Sequence, residues 1–426
     1  MNSPINLPTT PREKRAFRSL PFMGVIRVNN EAAAFGYQAG DPSWSNLGQG
    51  QPEVGPMAGA PPRVSSINLA PTDHAYGPVE GMLELRERVA AHYNRLYRVG
   101  KRSQYSAENV AISSGGRLAL SRAAAALDII RLGYFSPDYT AYEDLLATFP
   151  RIESVRIELS AEKQFRLSPA ELAQQVEEQE LDAVLISNPC NPTGIVIRGP
   201  ELRAWVDTAR RQACTLFMDE FYSHYFFGNP TGPISVAAYV DDVNEDPVVI
   251  FDGLTKCYRY PGWRLGWIMA PRDMIQSITA AGSFLDGGPP RPIQRAACEV
   301  LDPARADQET EALRSVFAAK QLITITRLAE LGIGFDHRPE GTFYAWGNIG
   351  NLPAPLKNGT DFMRQAFKHR VLTVPGEFFD VHPAVCSRPA QRAWSNYVRF
   401  SFGPPRENLE AGLDRLAELI RGAKSA

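Results

Sequence analysis

Short apolar runs that end in polar residues punctuate the middle of the chain: 109–113 (NVAIS), 181–187 (LDAVLIS), 214–219 (CTLFMD) and 247–252 (PVVIFD). Unbroken apolar character over so few residues predicts strands buried on both faces, as in a parallel sheet. Helical patterns separate them. Met82, Leu85, Val89, Tyr93 and Leu96 recur at helical spacing, 117–130 (RLALSRAAAALDII) reads as a helix, and 199–212 (GPELRAWVDTARRQ) as another with Pro200 near its start. Strands alternating with helices predict an α/β sheet wound on both faces. A long helical pattern over 308–331 is followed by short strand-like pieces, TFYAW, VLTVP and YVRFSFG, and by a terminal helix from about Glu407. That change of pattern predicts a second, smaller α+β domain. The expected division is 1–60 as an N-terminal arm with part of the small domain, 61–312 as the large domain, and 313–426 as the small C-terminal domain.

A length of 426 residues suits one large domain plus a smaller one. Hydrophobic residues make up 44% and charged residues 22%, the balance of a globular protein. The net charge of −2 supplies no basic field, which removes the electrostatic case for nucleic acid. Five scattered cysteines (Cys190, Cys214, Cys257, Cys298, Cys386) suggest neither a disulfide framework nor a zinc site, and the six histidines form no metal-binding cluster. The polar N-terminus lacks the apolar region of a signal peptide, and no apolar run is long enough to span a bilayer, so the default expectation is a reduced, cytoplasmic setting.

In sheets of this kind ligands gather at the carboxyl ends of the strands. Three groups fall at or just past those ends: Asn191 in NPCNPTG (188–194), Asp219 in DEFY (219–222) and Lys256 in GLTK (253–256). A lysine there, desolvated or beside another cation, becomes a free amine capable of Schiff-base chemistry. Arg264 follows eight residues later. A lone lysine is more often a surface or salt-bridging residue, an aspartate after a strand is often a cap, and Asn-Pro is an ordinary turn. Ser114-Gly115-Gly116-Arg117 lies between a strand and a helix, where backbone N–H groups can approach an anion.

The succession NPCNPTG, DEFY, GLTK with Arg264, then YVRFSFG resembles the class I/II aminotransferases, pyridoxal-phosphate enzymes of fold type I. The resemblance runs from about Gly48 to Arg399. It implies a large cofactor-binding domain with a mostly parallel central sheet, a smaller α+β domain, and pyridoxal 5'-phosphate as cofactor. It implies that Lys256 joins the cofactor aldehyde and later shuttles a proton, and that Asp219 pairs with the pyridine nitrogen. Asn191 and Tyr222 would hydrogen-bond the phenolic oxygen, and Tyr139 would stack on the ring. Gly115, Gly116, Arg117, Thr255 and Arg264 would hold the phosphate. Tyr76, five residues before Gly81, would reach the phosphate of a neighbouring subunit, making a homodimer with shared sites. Arg399 would grip the substrate α-carboxylate, with Gly50 and Asn191 nearby.

The implied reaction moves an amino group between an L-amino acid and a 2-oxo acid in ping-pong half-reactions. Elimination, oxidation or cyclisation of an amino acid on the same scaffold is the alternative, and a non-catalytic cofactor-binding regulator a remoter one. Two positions depart from the family pattern. Gly253 stands where many members carry a serine for the phosphate, with Ser114 or Thr255 as replacements, and Glu377 stands where a small residue is common. Arg291 lies where aspartate-specific members place an arginine from the partner subunit; a distal substrate carboxylate and a structural ion pair are equal readings. Phe22, Phe35, Tyr37 and Trp44 in the arm either line the substrate pocket or pack elsewhere.

Overall fold

The computed structural model describes Phe22 and residues 24–228, 232–383 and 392–425. Residues 1–21 of the arm and Cys386 lie outside the described residues.

The strands are β1 (Ser45–Asn46), β2 (Val110–Ser113), β3 (Ile130–Ser136), β4 (Ile152–Glu158), β5 (Ala183–Ser187), β6 (Thr215–Asp219), β7 (Val248–Gly253), β8 (Gly266–Met269), β9 (Tyr344–Asn348), β10 (Val371–Leu372), β11 (Val374–Pro375) and β12 (Tyr397–Ser401). Seven of them form one sheet in the order β2-β8-β7-β6-β5-β3-β4. All neighbours in it run parallel except β8, which is antiparallel to both β2 and β7. The order doubles back on itself, so several strand ends open together on one edge, the place where such sheets bind ligands. β11, β12 and β9 form a separate antiparallel sheet, and β1 pairs with β10.

The helices cover both faces. They are α1 (Gly24–Ala33), α2 (Leu83–Tyr97), α3 (Gly116–Ala126), α4 (Ala141–Thr148), α5 (Pro169–Glu178), α6 (Gly199–Gln212), α7 (Arg272–Leu285), α8 (Arg291–Val300), α9 (Pro303–Glu330), α10 (Gly359–Lys368) and α11 (Arg406–Ser425). On one face of the large sheet Val248, Ile250, Leu216 and Met218 pack with Leu85 and Val89 of α2 and with Trp205 of α6. On the other face Val249, Phe251 and Phe217 pack with Ala119, Leu120 and Ala123 of α3 and with Ile275 and Ile278 of α7. Strands buried on both sides in this way have no polar face, hence their unbroken apolar runs.

The predicted strands at 181–187, 214–219 and 247–252 are β5, β6 and β7, each within two residues at either end. The helix expected over 117–130 stops at Ala126, because Ile130 already opens β3. Apolar residues on either side of that join hid the boundary. β3, β4 and β8 were not anticipated. β4, at the sheet edge, buries Ile152 and Ile157 and exposes Glu153 and Glu158 without a strand period, and β8 (GWIM) is too short to show one.

Candidate active site

The site forms where β3, β5, β6 and β7 end. β7 terminates at Gly253 and the chain turns so that Lys256 projects over the sheet edge, half-buried, with its ammonium donating to the Gly50 carbonyl. From the small sheet, Arg399 on β12 donates to the Gly48 carbonyl at 2.8 Å and to Asn191 Oδ1 at 2.9 Å. The amine and the guanidinium therefore lie on the same short backbone segment, Gly48–Gly50. Burial, then the charges of Arg399, Arg264 and Arg117, push the Lys256 pKa down to about 7, against the pull of Asp219.

Asp219 closes β6 and is buried. Its Oδ2 accepts the Tyr142 hydroxyl at 2.8 Å and its Oδ1 the Phe221 N–H at 3.4 Å. Burial raises its pKa to about 6, while those two donors and Lys256 hold it down. Tyr222, one turn beyond, is buried with its hydroxyl 2.9 Å from that of Tyr344 on β9. The turn that carries Asn191 is pinned from beneath: the Asn191 N–H donates to Ser187 Oγ at 3.1 Å, and Ser187 in turn donates to the buried Asp138 carboxylate. Tyr139 follows Asp138; its hydroxyl accepts Arg117 Nε at 3.2 Å, and its ring lies edge-on to Tyr142 at 5.4 Å.

An anion cradle adjoins these groups. α3 begins at Gly116, with Gly115 as its cap at φ 88°, a conformation that favours glycine. A Cβ at Gly115 would sit 2.5 Å from an Arg264 guanidinium nitrogen, so the bare backbone is what lets Arg264 lie against the helix start. Thr255 Oγ1 is buried beside Lys256 with no hydrogen-bond partner among the described residues. An orphaned hydroxyl, an arginine and a helix N-terminus together suit a phosphate.

The glycine at 253 has a backbone cause. A Cβ there would lie 2.5 Å from Gly266 Cα and 2.6 Å from the Leu265 carbonyl on the paired strand β8. No serine has room at that position, and the free hydroxyl nearby is that of Thr255. Glu377 accepts the Thr360 hydroxyl in the first turn of α10, which gives the departure there a structural use.

Two named residues lie away from this cluster within one chain. Tyr76 is 99% exposed. Arg291 lies 3.9 Å from the Asp73 carboxylate and donates to the Tyr76 carbonyl at 3.4 Å, so here it braces the loop that displays Tyr76. Of the arm aromatics, Trp44 and Tyr37 pack against each other at 5.4 Å and Phe35 packs on Phe367 at 5.3 Å. Val25 of α1 is the arm residue near the site, within 4.0 Å of a Cβ built on Gly50. Sequence reasoning missed Tyr142, Tyr344, Asp138 and Ser187. The aromatic pair sits at core-like positions of a helix and a strand, and periodicity cannot separate a packed ring from one whose hydroxyl is used.

A sequence profile described as aminotransferase class I and II matches residues 42–416. The chain belongs to that family. This aminotransferase is 27% identical over 356 residues to an aspartate aminotransferase of Pyrococcus abyssi, covering 82% of this chain and 85% of the relative. It is equally 27% identical over 351 residues to aromatic-amino-acid aminotransferase 2 of Thermococcus litoralis, covering 82% and 85%. Its fold matches a Thermus thermophilus aspartate aminotransferase double mutant with a TM-score of 0.77 at 22% identity, over 94% of this chain and 98% of the other. Enzymes of this family use pyridoxal phosphate. Among the described residues no helix is long and apolar enough to cross a membrane, and no group of metal-ligating side chains is present.

Proposed function

We propose that this aminotransferase exchanges an amino group between an L-amino acid and a 2-oxo acid at the Lys256–Asp219 site, using pyridoxal 5'-phosphate. The observation that carries this reading is the placement of a lysine amine, its pKa pushed down to about 7, beside Arg399 on the Gly48–Gly50 backbone. When bound, pyridoxal phosphate supplies an aldehyde for the amine and a cationic ring that takes up the electron pair released at the substrate Cα.

The residues fit that group. The α3 N-terminus, Gly115, Gly116, Arg117, Arg264 and the unpartnered Thr255 hydroxyl would hold the phosphate. Asp219, kept in place by Tyr142, would face the pyridine nitrogen and keep it protonated. Asn191 and Tyr222 would bind the phenolic oxygen, and Tyr139 the ring face. The Lys256 amine, when free, would take the substrate Cα proton and hold it for return. Arg399 presents two nitrogens held by Asn191 and Gly48 and an Nε with no partner among the described residues, a buried cation set to receive a carboxylate.

We read residues 61–312 as the cofactor-binding part, and 313–426 with the 1–60 lead-in as the part that carries Arg399. The β1–β10 pairing supports grouping the lead-in with the C-terminal part. The exposed Tyr76 on its braced loop supports a homodimer in which Tyr76 of the partner subunit completes the phosphate site. Aspartate and aromatic amino acids are the first substrates to try, since those are what the named relatives act on.

A pH profile follows from Lys256. Below about pH 7 its amine is protonated, so attachment of added pyridoxal phosphate to the cofactor-free protein should slow about tenfold per pH unit and level off above that pH. Absorbance of the attached cofactor measures this; a rate still climbing above pH 9 would mean an ordinary lysine. The reaction class is tested by mixing the loaded protein with one amino acid at a time. Conversion of the cofactor to its amine form, with one equivalent of 2-oxo acid, is expected for L-aspartate or an aromatic amino acid. Ammonia release with the aldehyde form retained would replace transamination by elimination or oxidation.

A further inference from the structure

We infer that Tyr344 is a positioning residue that turns the Tyr222 hydroxyl toward the cofactor and steadies the Arg399 guanidinium of its own small sheet. The inference rests on the roles proposed above for Tyr222 and Arg399.

Tyr344 opens β9 and pairs with Ser401 of β12, while Arg399 pairs with Trp346. Directly opposed residues of an antiparallel pair share a face, and so do residues two apart, so Tyr344 and Arg399 are diagonal neighbours on one side of the small sheet. The Tyr344 ring lies 4.0 Å from Arg399 Cζ, and the Phe379 ring lies 5.0 Å from it. Arg399 is buried and no carboxylate faces it at hydrogen-bond distance among the described residues. Its remaining compensation is the electron-rich faces of these two rings. A guanidinium so held is planar and aimed before any substrate arrives.

The hydroxyl does separate work. Burial pushes both phenols upward, so each keeps its single proton. Of two protonated phenols 2.9 Å apart, only one donates to the other. If Tyr222 donated to Tyr344, it would face the cofactor's phenolic oxygen with a lone pair. With Tyr344 as donor, the Tyr222 proton is free to point outward, and donating chains of this kind strengthen one another. Tyr344 thus links the carboxylate arginine of one sheet to the cofactor-facing phenol of the other.

Two substitutions separate the two jobs in the loaded enzyme. Tyr344→Phe keeps the ring and loses the proton. Without the Tyr344 donor the hydrogen bond that Tyr222 gives the cofactor's phenolic oxygen is weaker, which raises that acceptor's proton affinity, so the pH midpoint of its absorbance change, measured without substrate, should rise by about half a unit. kcat should fall about threefold to tenfold, with KM for the amino acid within about twofold of wild type. Tyr344→Leu loses the ring as well and should add about a tenfold rise in KM. In a Tyr222→Phe background, Tyr344→Phe should move the midpoint no further, because its effect passes through Tyr222. An unmoved midpoint in Tyr344→Phe, or an additive shift in the double variant, overturns the inference. If Tyr222→Phe alone leaves the midpoint in place, the assignment of Tyr222 itself falls.

Discussion

Lys256→Ala is expected to lower turnover by at least about 10⁴-fold while the chain remains folded. The side chain is half-buried and its ammonium makes one hydrogen bond, to the Gly50 carbonyl, so little packing is lost. The amine is also held in a setting that disfavours its charge, and removing it relieves that cost. What would disappear is the group proposed to attach the cofactor and carry the Cα proton; Lys320, on α9, is committed to Glu53 and the Pro404 carbonyl and does not stand in. Steady-state kinetics alongside a melting curve separate the two effects. Activity within about a hundredfold of wild type in a folded variant would place the chemistry elsewhere.

Arg399→Lys is expected to lower kcat/KM for the amino acid by about 10²–10³-fold, mostly through KM. Arg399 divides its nitrogens between Asn191 and the Gly48 carbonyl and lies against the Tyr344 and Phe379 rings. A lysine keeps the charge but offers a point donor in place of a planar fork, and it cannot keep both anchors and give a carboxylate two parallel bonds. The oxo-acid half-reaction should suffer equally, since both substrates carry the α-carboxylate. A wild-type KM in this variant would remove Arg399 from carboxylate binding.

The parts of the fold legible in the sequence are those whose environment is uniform. β5, β6 and β7 lie in the middle of the sheet, buried on both faces, and their apolar runs end at the residues that turn into the site. The edge strand β2 is legible as 109–113, but the other edge, β4, and the antiparallel member β8 are not. β4 mixes exposed Glu153 and Glu158 with partly buried residues and mimics a polar connection, while the four residues of β8 are placed by pairing with β2 and β7 rather than by any local preference. At the site, Asn191, Asp219 and Lys256 announce themselves because each follows a strand and the motifs come in a fixed order. Tyr142 and Tyr344 do not: a tyrosine on a helix or strand reads as packing until its hydroxyl is seen 2.8 Å from Asp219 or 2.9 Å from Tyr222. Gly253 shows the reverse case. The sequence gives an unexplained departure, and the contact with the β8 backbone explains it. Tyr76 stands exposed on a loop that Arg291 braces, away from its own chain's site, and only the homodimer proposed above would give it a use.

The most direct measurement is to load the protein with pyridoxal phosphate, reduce it with borohydride, digest it and locate the modified peptide by mass spectrometry. The site described here predicts one reduced cofactor per chain, attached to the side-chain nitrogen of Lys256. Label on another lysine, or no label on a protein that still turns over amino acids, would contradict it.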